Sequence, residues 1–144
     1  MLESGLVKLS YETADGGERI KSFVADRGVF GSHWPPSGDH ESRFAARCLE
    51  SSQIAILPAE WVKSKIAADP QLQATVAKFS EWIYLRKQSR EEALLCETAE
   101  QRYLSFLASN TALAQRLNQA DIARYLGVTP IAFSRIKKRV LQQV

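Results

Sequence analysis

Gln119 to Arg139 reads Q-A-D-I-A-R-Y-L-G-V-T-P-I-A-F-S-R-I-K-K-R, and the reading of this stretch decides the fold of the C-terminal part of the chain. Its spacing fits two short helices that cross over a tight turn, a helix-turn-helix. Counting Gln119 as one, Ala123 stands at position five and Gly127 at nine. Ile122, Leu126, Val128, Phe133 and Ile136 stand at four, eight, ten, fifteen and eighteen. Helices that cross almost in contact need a small residue at five. The turn needs a positive φ, which costs Gly127 nothing. The five large apolar side chains line the inside of the crossing. Thr129 is placed to cap the second helix, with Pro130 at its first position, where a missing N–H is no loss. That second helix carries Ser134, Arg135, Lys137, Lys138 and Arg139, a cationic face of the kind that meets a DNA duplex.

Charge is concentrated where this motif lies. The chain of 144 residues has a formal charge of only +3. From Arg116 onward, however, six basic residues face Asp121 alone, a net of +5, and residues 1–115 carry a net of −2. Phosphate binding needs a local cluster of cations rather than a basic total.

Working back toward the N-terminus, Asp69-Pro70 opens a stretch without Gly or proline as far as about Thr98. Asp69 is the expected cap and Pro70 the expected first residue of one long helix. Leu72, Val76, Phe79 and Ile83 step by four, three and four and form a narrow apolar seam, which ends at Arg86 and Arg90. A seam of this kind predicts pairing with the same helix in a second copy of the chain. A further helix is expected from Thr98, with Tyr103, Leu104, Phe106 and Leu107 apolar, to Ser109-Asn110.

Residues 5–62 are β-rich. Leu6–Tyr11 and Ile20–Ala25 are expected strands around the hairpin turn Asp15-Gly16-Gly17. A strand is expected over Gln53–Leu57, then Pro58, then a short helix over Ala59–Ile66. Between them Gly31 to His40 is a proline- and glycine-rich loop. Cys48 and Cys96 are far apart without C-x-x-C spacing and are expected as ordinary buried thiols. His33 and His40 do not make a zinc site, so no metal ligands are expected. No nucleophile–base pair, working pair of carboxylates or phosphate-cradling glycine loop stands out. Glu91-Glu92 fits a solvated helix face, and no catalytic residue is expected. With no apolar run of membrane-spanning length and no secretory leader pattern, a cytoplasmic protein is expected.

The order β-roll, long helix, helix, helix-turn-helix resembles the Crp–Fnr family of bacterial transcription regulators, whose effector domains are cyclic-nucleotide-binding β-rolls. G-L-V-K-L-S-Y-E-T-A-D-G-G-E-R-I matches a roll hairpin, and Q-I-A-I-L-P-A-E-W-V its last strand and following helix. T-A-E-Q-R-Y-L-S-F-L at 98–107 is similar to the first helix of the family's DNA-binding domain, and S-R-I-K-K-R ends the recognition unit. The resemblance implies that Met1 falls in mid-roll, with about half of the effector domain absent, and that Val144 leaves no room for a winged hairpin. Members that bind cyclic nucleotides carry G-E-(L/A) followed by R-(S/T)-A. Here the stretches read Gly31-Ser32-His33 and Glu41-Ser42-Arg43-Phe44. The ribose-binding glutamate is missing. Arg43 is displaced by one residue, which in a strand turns a side chain to the opposite face.

By the same resemblance Pro130, Ile131, Ser134 and Arg135 face base edges, and Arg135 can pair with guanine O6 and N7. Thr129, Lys137, Lys138 and Arg139 fall at phosphates, with Gln119 able to reach another. The expected fold is α+β: a partial β-roll over 1–68, a dimerisation helix over 69–97 and an all-α helix-turn-helix domain over 98–144. The expected function is sequence-specific DNA binding by a homodimer that regulates transcription without responding to cyclic AMP. Its partners are double-stranded DNA, a second copy of the chain and RNA polymerase; no membrane or cofactor is involved. The competing reading is a dimerisation or interaction module with a degenerate sensor and little specific DNA binding.

Overall fold

The two strand-forming runs around Asp15-Gly16-Gly17 pair as the hairpin turn dictates. In the computed structural model, which describes residues 1–31 and 42–142, β1 is Leu2–Ser4, β2 is Leu6–Glu12 and β3 is Glu18–Ala25. Strands β2 and β3 run antiparallel from Leu6↔Ala25 to Glu12↔Glu18. Gly16 sits at φ 76°, and Thr13 N–H donates to the Gly17 carbonyl at 2.8 Å. Strand β4 (Ala45–Cys48) joins the other side of β2, giving the order β3-β2-β4. Strand β5 (Gln53–Ile54) pairs with β1. It is shorter than Gln53–Leu57, because its partner β1 is itself only three residues long and the pairing is confined to Leu2↔Ile54 and Ser4↔Gln53.

Strand β2 is buried on both faces, and that fact organises the chain. Val7 and Leu9 on one face pack with Leu2, Val24, Phe30 and Phe44. Leu6 on the other belongs to a larger core with Ile20, Phe23 and the C-terminal helices. Period-two alternation puts Lys8 and Ser10 on that same second face, and both are 4 % exposed. The described residues form two compact units: Met1–Ala55 with Ala99–Val144, and Ile56–Thr98.

In the first unit the helices are α3 (Ala99–Ser109), α4 (Thr111–Arg116), α5 (Gln119–Leu126) and α6 (Pro130–Gln142). Helix α4 was not foreseen in the sequence; at six residues it is too short to show a period. Tyr103, Phe106, Leu117, Ile122, Ala123, Leu126, Phe133, Ile136 and Val140 fill the shared core.

The second unit consists of α1 (Ala59–Ala68) and α2 (Pro70–Cys96), separated from the first at Ile56 and Thr98. Asp69 caps α2 by accepting from the Gln71 and Leu72 N–H groups at 2.8 and 3.2 Å. At 27 residues the helix is about 40 Å long. Not one of its residues is buried. Leu72, Val76 and Ile83 are half-buried, while Phe79 and Trp82 are exposed and stack at 5.7 Å. Tyr84 and Leu85 are exposed too. The Arg86 guanidinium lies 4.7 Å from the Trp82 ring. No helix among the described residues is long and apolar enough to cross a membrane.

Both cysteines are exposed rather than buried, which corrects the expectation. Cys48 lies on β4, whose four residues are all exposed because none of the described residues packs closely over either face of this strand. Cys96 is the last residue of α2. Apolar sequence neighbours do not bury a thiol when those neighbours are themselves uncovered. His33 and His40, together with Ser32 and Glu41, lie outside the described residues.

Candidate nucleic-acid interface

The crossing of α5 and α6 is built by the residues that the spacing singled out. Asn118 caps α5: its side-chain oxygen accepts from the Asp121 N–H at 2.8 Å. Gly127 ends α5 in the left-handed region at φ 76°, and the Val128 N–H reaches back to the Ala123 carbonyl at 3.0 Å. This closes the helix with a glycine and satisfies carbonyls that would otherwise be orphaned. Ala123 is fully buried at the crossing, and Ile122, Leu126, Phe133 and Ile136 are buried around it, with Val128 packed at their margin. The Thr129 hydroxyl accepts from the Ala132 N–H at 3.2 Å, and Pro130 is the first residue of α6.

Helix α3 braces this unit. Arg102 Nε donates to the Leu126 carbonyl at 3.1 Å, just before the turn. The Tyr103 and Phe133 rings meet edge to face at 4.9 Å and 87°, the geometry favoured by aromatic quadrupoles. Burial pushes the Tyr103 hydroxyl above its ordinary pKa. The Tyr125 ring lies between Phe106 of α3 and Phe23 of β3, at 5.5 and 5.4 Å. The motif is thus packed against the sheet as well as against its own helices.

The outer face of α6 presents Pro130, Ile131, Ser134, Arg135, Lys138 and Arg139 as exposed residues, with Lys137 half-buried at its margin. Ile131 is 71 % exposed at the helix start, which suits an apolar contact such as a thymine methyl. Gln119 and Thr129 are exposed at the starts of α5 and α6. All nine nominated residues therefore gather on the helix-turn-helix unit. Arg139 is also held 3.7 Å from Glu100.

The six C-terminal basic residues do not act as one cluster. Arg116 turns to the sheet, donating to Asp26 Oδ2 at 2.8 Å, to the Gly5 carbonyl at 2.9 Å and to Glu50. Those bonds, from Glu50 first and Asp26 second, raise its already high pKa. The Gly5 N–H and then Arg116 hold Asp26 below the usual carboxylate range. Arg124 faces Glu18 at 3.6 Å and Asp121 at 3.4 Å. Arg135, Lys137, Lys138 and Arg139 are the cations left on α6.

Sequence reading missed the ionic contacts that join sheet and helices. Lys8 Nζ lies 2.9 Å from Glu18 and 3.1 Å from Asp121, and the Asp121 side chain is even more buried than that of Lys8. For Glu18, burial acts to raise the pKa. Hydrogen bonds from Lys8 and Ser10, with the charges of Lys8 and Arg124, outweigh it and leave the carboxyl below its usual range. One signal was available: a lysine set among the apolar residues Leu6, Val7 and Leu9 of one strand.

No protein-family model matches the chain, and no curated protein matches it. Solved structures do. FixK2 from Bradyrhizobium japonicum superposes with a TM-score of 0.85 at 21% identity, over 99% of this chain and 74% of that one. A putative transcriptional regulator of the Crp/Fnr family from Eubacterium rectale gives 0.71 at 14% identity, over 99% and 68%. The Thermus thermophilus catabolite activator protein gives 0.52 at 21% identity, over 99% and 68%. The chain has the α+β fold of Crp–Fnr regulators.

Proposed function

We propose that the protein is a transcription regulator that binds DNA sequence-specifically as a homodimer. The observation that carries this reading is the pre-formed helix-turn-helix. Its crossing is closed by Ala123 and Gly127, and its outward helix keeps Arg135 and Lys138 exposed. The likeness to Crp–Fnr structures supports it at the level of fold. Residues 1–68 then serve as the effector portion, 69–97 as the dimerisation helix and 98–144 as the DNA-binding portion. Leu72, Val76, Phe79 and Ile83 form the dimer seam, since an apolar stripe left uncovered along so long a helix marks an interaction surface. RNA polymerase is the further partner of such a regulator, and the cytoplasm its compartment. The same helices serve equally in an interaction module with little specific DNA binding, and binding to a duplex separates the two.

Arg135 reads a base in this proposal, and Lys138 neutralises a phosphate. A dimer holds two recognition helices about one duplex turn apart, so selection from random duplexes is expected to enrich an inverted repeat with half-sites about 10 base pairs apart. Arg135→Ala is expected to weaken the enriched site by about 1–3 kcal/mol and to relax preference at one position per half-site. Lys138→Ala is expected to weaken all sequences alike and to flatten the salt dependence by about one unit for each phosphate left without its cation. No enriched sequence, or identical behaviour of the two variants, rules out the specific regulator.

Cyclic AMP is not the effector in this proposal. Arg43 is exposed, and the residue aligned with the family's ribose-binding glutamate is not acidic. Calorimetry with cyclic AMP is expected to detect nothing tighter than about 1 mM, or about 4 kcal/mol. Micromolar affinity for a cyclic nucleotide would refute this and direct attention to His33, Arg43 and Arg86 as substitute contacts.

A further inference from the structure

The contact between β sheet and helix-turn-helix holds a neutral set of four charges. Lys8 of β2 and Arg124 of α5 are the cations; Glu18 of β3 and Asp121 of α5 are the anions. Asp121 is committed in several directions at once. Its carboxylate accepts from Lys8 at 3.1 Å, from Asn118 Nδ2 at 2.8 Å and from Arg124 at 3.4 Å, while its own N–H completes the α5 cap. Around this set Leu6, Ile20 and Phe23 of the sheet pack against the helical core. Apolar packing of that kind has no direction and tolerates small slides or rotations of one surface over the other. An ammonium between a carboxylate of β3 and one of α5 does not, because it loses its Asp121 partner as soon as α5 shifts on the sheet.

We propose that Lys8 is a positioning residue for the DNA-facing helices: its buried ammonium fixes the register of α5, and through the Gly127 turn that of α6, on the β sheet. The inference rests on the duplex-binding reading for its function and on geometry alone for its structure. Desolvation consumes most of what a buried ion pair contributes, so such a pair does more for registry than for stability. Lys8 therefore governs where the reading helix sits rather than whether the chain folds. The sheet and the recognition unit move as one piece in this arrangement, which gives any event at the sheet a rigid path to the DNA.

The test compares the full chain with Lys8→Met and with the double variant Lys8→Met/Asp121→Asn, which removes the opposing charge in case the single variant folds poorly. The first readout is the ratio of affinities for an enriched duplex and a random one. It is expected to fall at least tenfold in the double variant while the melting temperature stays within a few degrees of the parent. The second readout needs no DNA. In a Cys96→Ser background, spin labels at Cys48 and at Gln142→Cys, diluted with unlabelled chain, report the distance from the sheet to the end of α6. The parent is expected to give one narrow distribution and both variants a broader or displaced one. An unchanged distribution in the double variant overturns the proposal, whatever happens with DNA. A parent that selects no duplex refutes the regulator reading, and the label distances still decide whether Lys8 positions α5. A distribution that changes only in step with a large loss of melting temperature also overturns it, since Lys8 would then be an ordinary stabilising contact.

Discussion

Replacing Phe79 and Ile83 together by Asp is expected to turn a dimer into monomers. Phe79 is 38 % exposed and Ile83 half-buried on a helix with no buried residue, so neither change removes a core side chain from the folded chain. In a paired seam the four added carboxylates of two chains would be desolvated against apolar neighbours, at a cost of several kcal/mol per charge. Sedimentation is the measurement: the parent is expected at the mass of two chains and the variant at that of one. Loss of the second recognition helix also removes the gain from simultaneous engagement, so affinity for an inverted repeat is expected to fall about a hundredfold or more. A monomeric parent would overturn the dimer. A variant that stays dimeric would move the interface off this seam.

Phe133→Ala is expected to be the most damaging single truncation. Phe133 is 1 % exposed and, among the described residues, the largest fully buried side chain, and its ring meets Tyr103 edge to face. Truncation leaves a cavity between α3, α5 and α6 and costs about 3–5 kcal/mol, a large share of the roughly 5–15 kcal/mol by which domains are stable. Because the same core continues into Leu6, Ile20 and Phe23, the loss is expected to lower the melting of the sheet as well as of the helices. Urea titration followed in both regions checks this. A cost below about 1 kcal/mol would mean that the cavity collapses and that the Tyr103 contact contributes little.

Much of the chain was legible locally. The hairpin at Asp15-Gly16-Gly17, the Asp69-Pro70 start of α2 and the Thr129-Pro130 start of α6 depend on residues within a few positions of one another, and each formed where those residues stand. Gly127 ends α5 because a left-handed residue is cheapest as glycine. The spacing of Ala123, Ile122, Leu126, Phe133 and Ile136 settled which side of each helix is inside. Other features were not legible, because they depend on what covers an element from far along the chain. Cys48 has apolar sequence neighbours and is exposed, since neither face of β4 is covered by the described residues. Helix α4 is held by its surroundings rather than by a period of its own.

Charge gives the clearest division. The sequence by itself determined that cations accumulate after Arg116 and that α6 carries four of them, because composition and helical period are properties of the local chain. The tertiary structure alone decided that Arg116 meets Asp26, that Arg124 faces Glu18, and that Lys8 meets Asp121, 113 residues away. A salt bridge between distant residues has no period or spacing to reveal it. It exists only once β2 is covered on its second face and the two charges, shut away from water, have each other as partners.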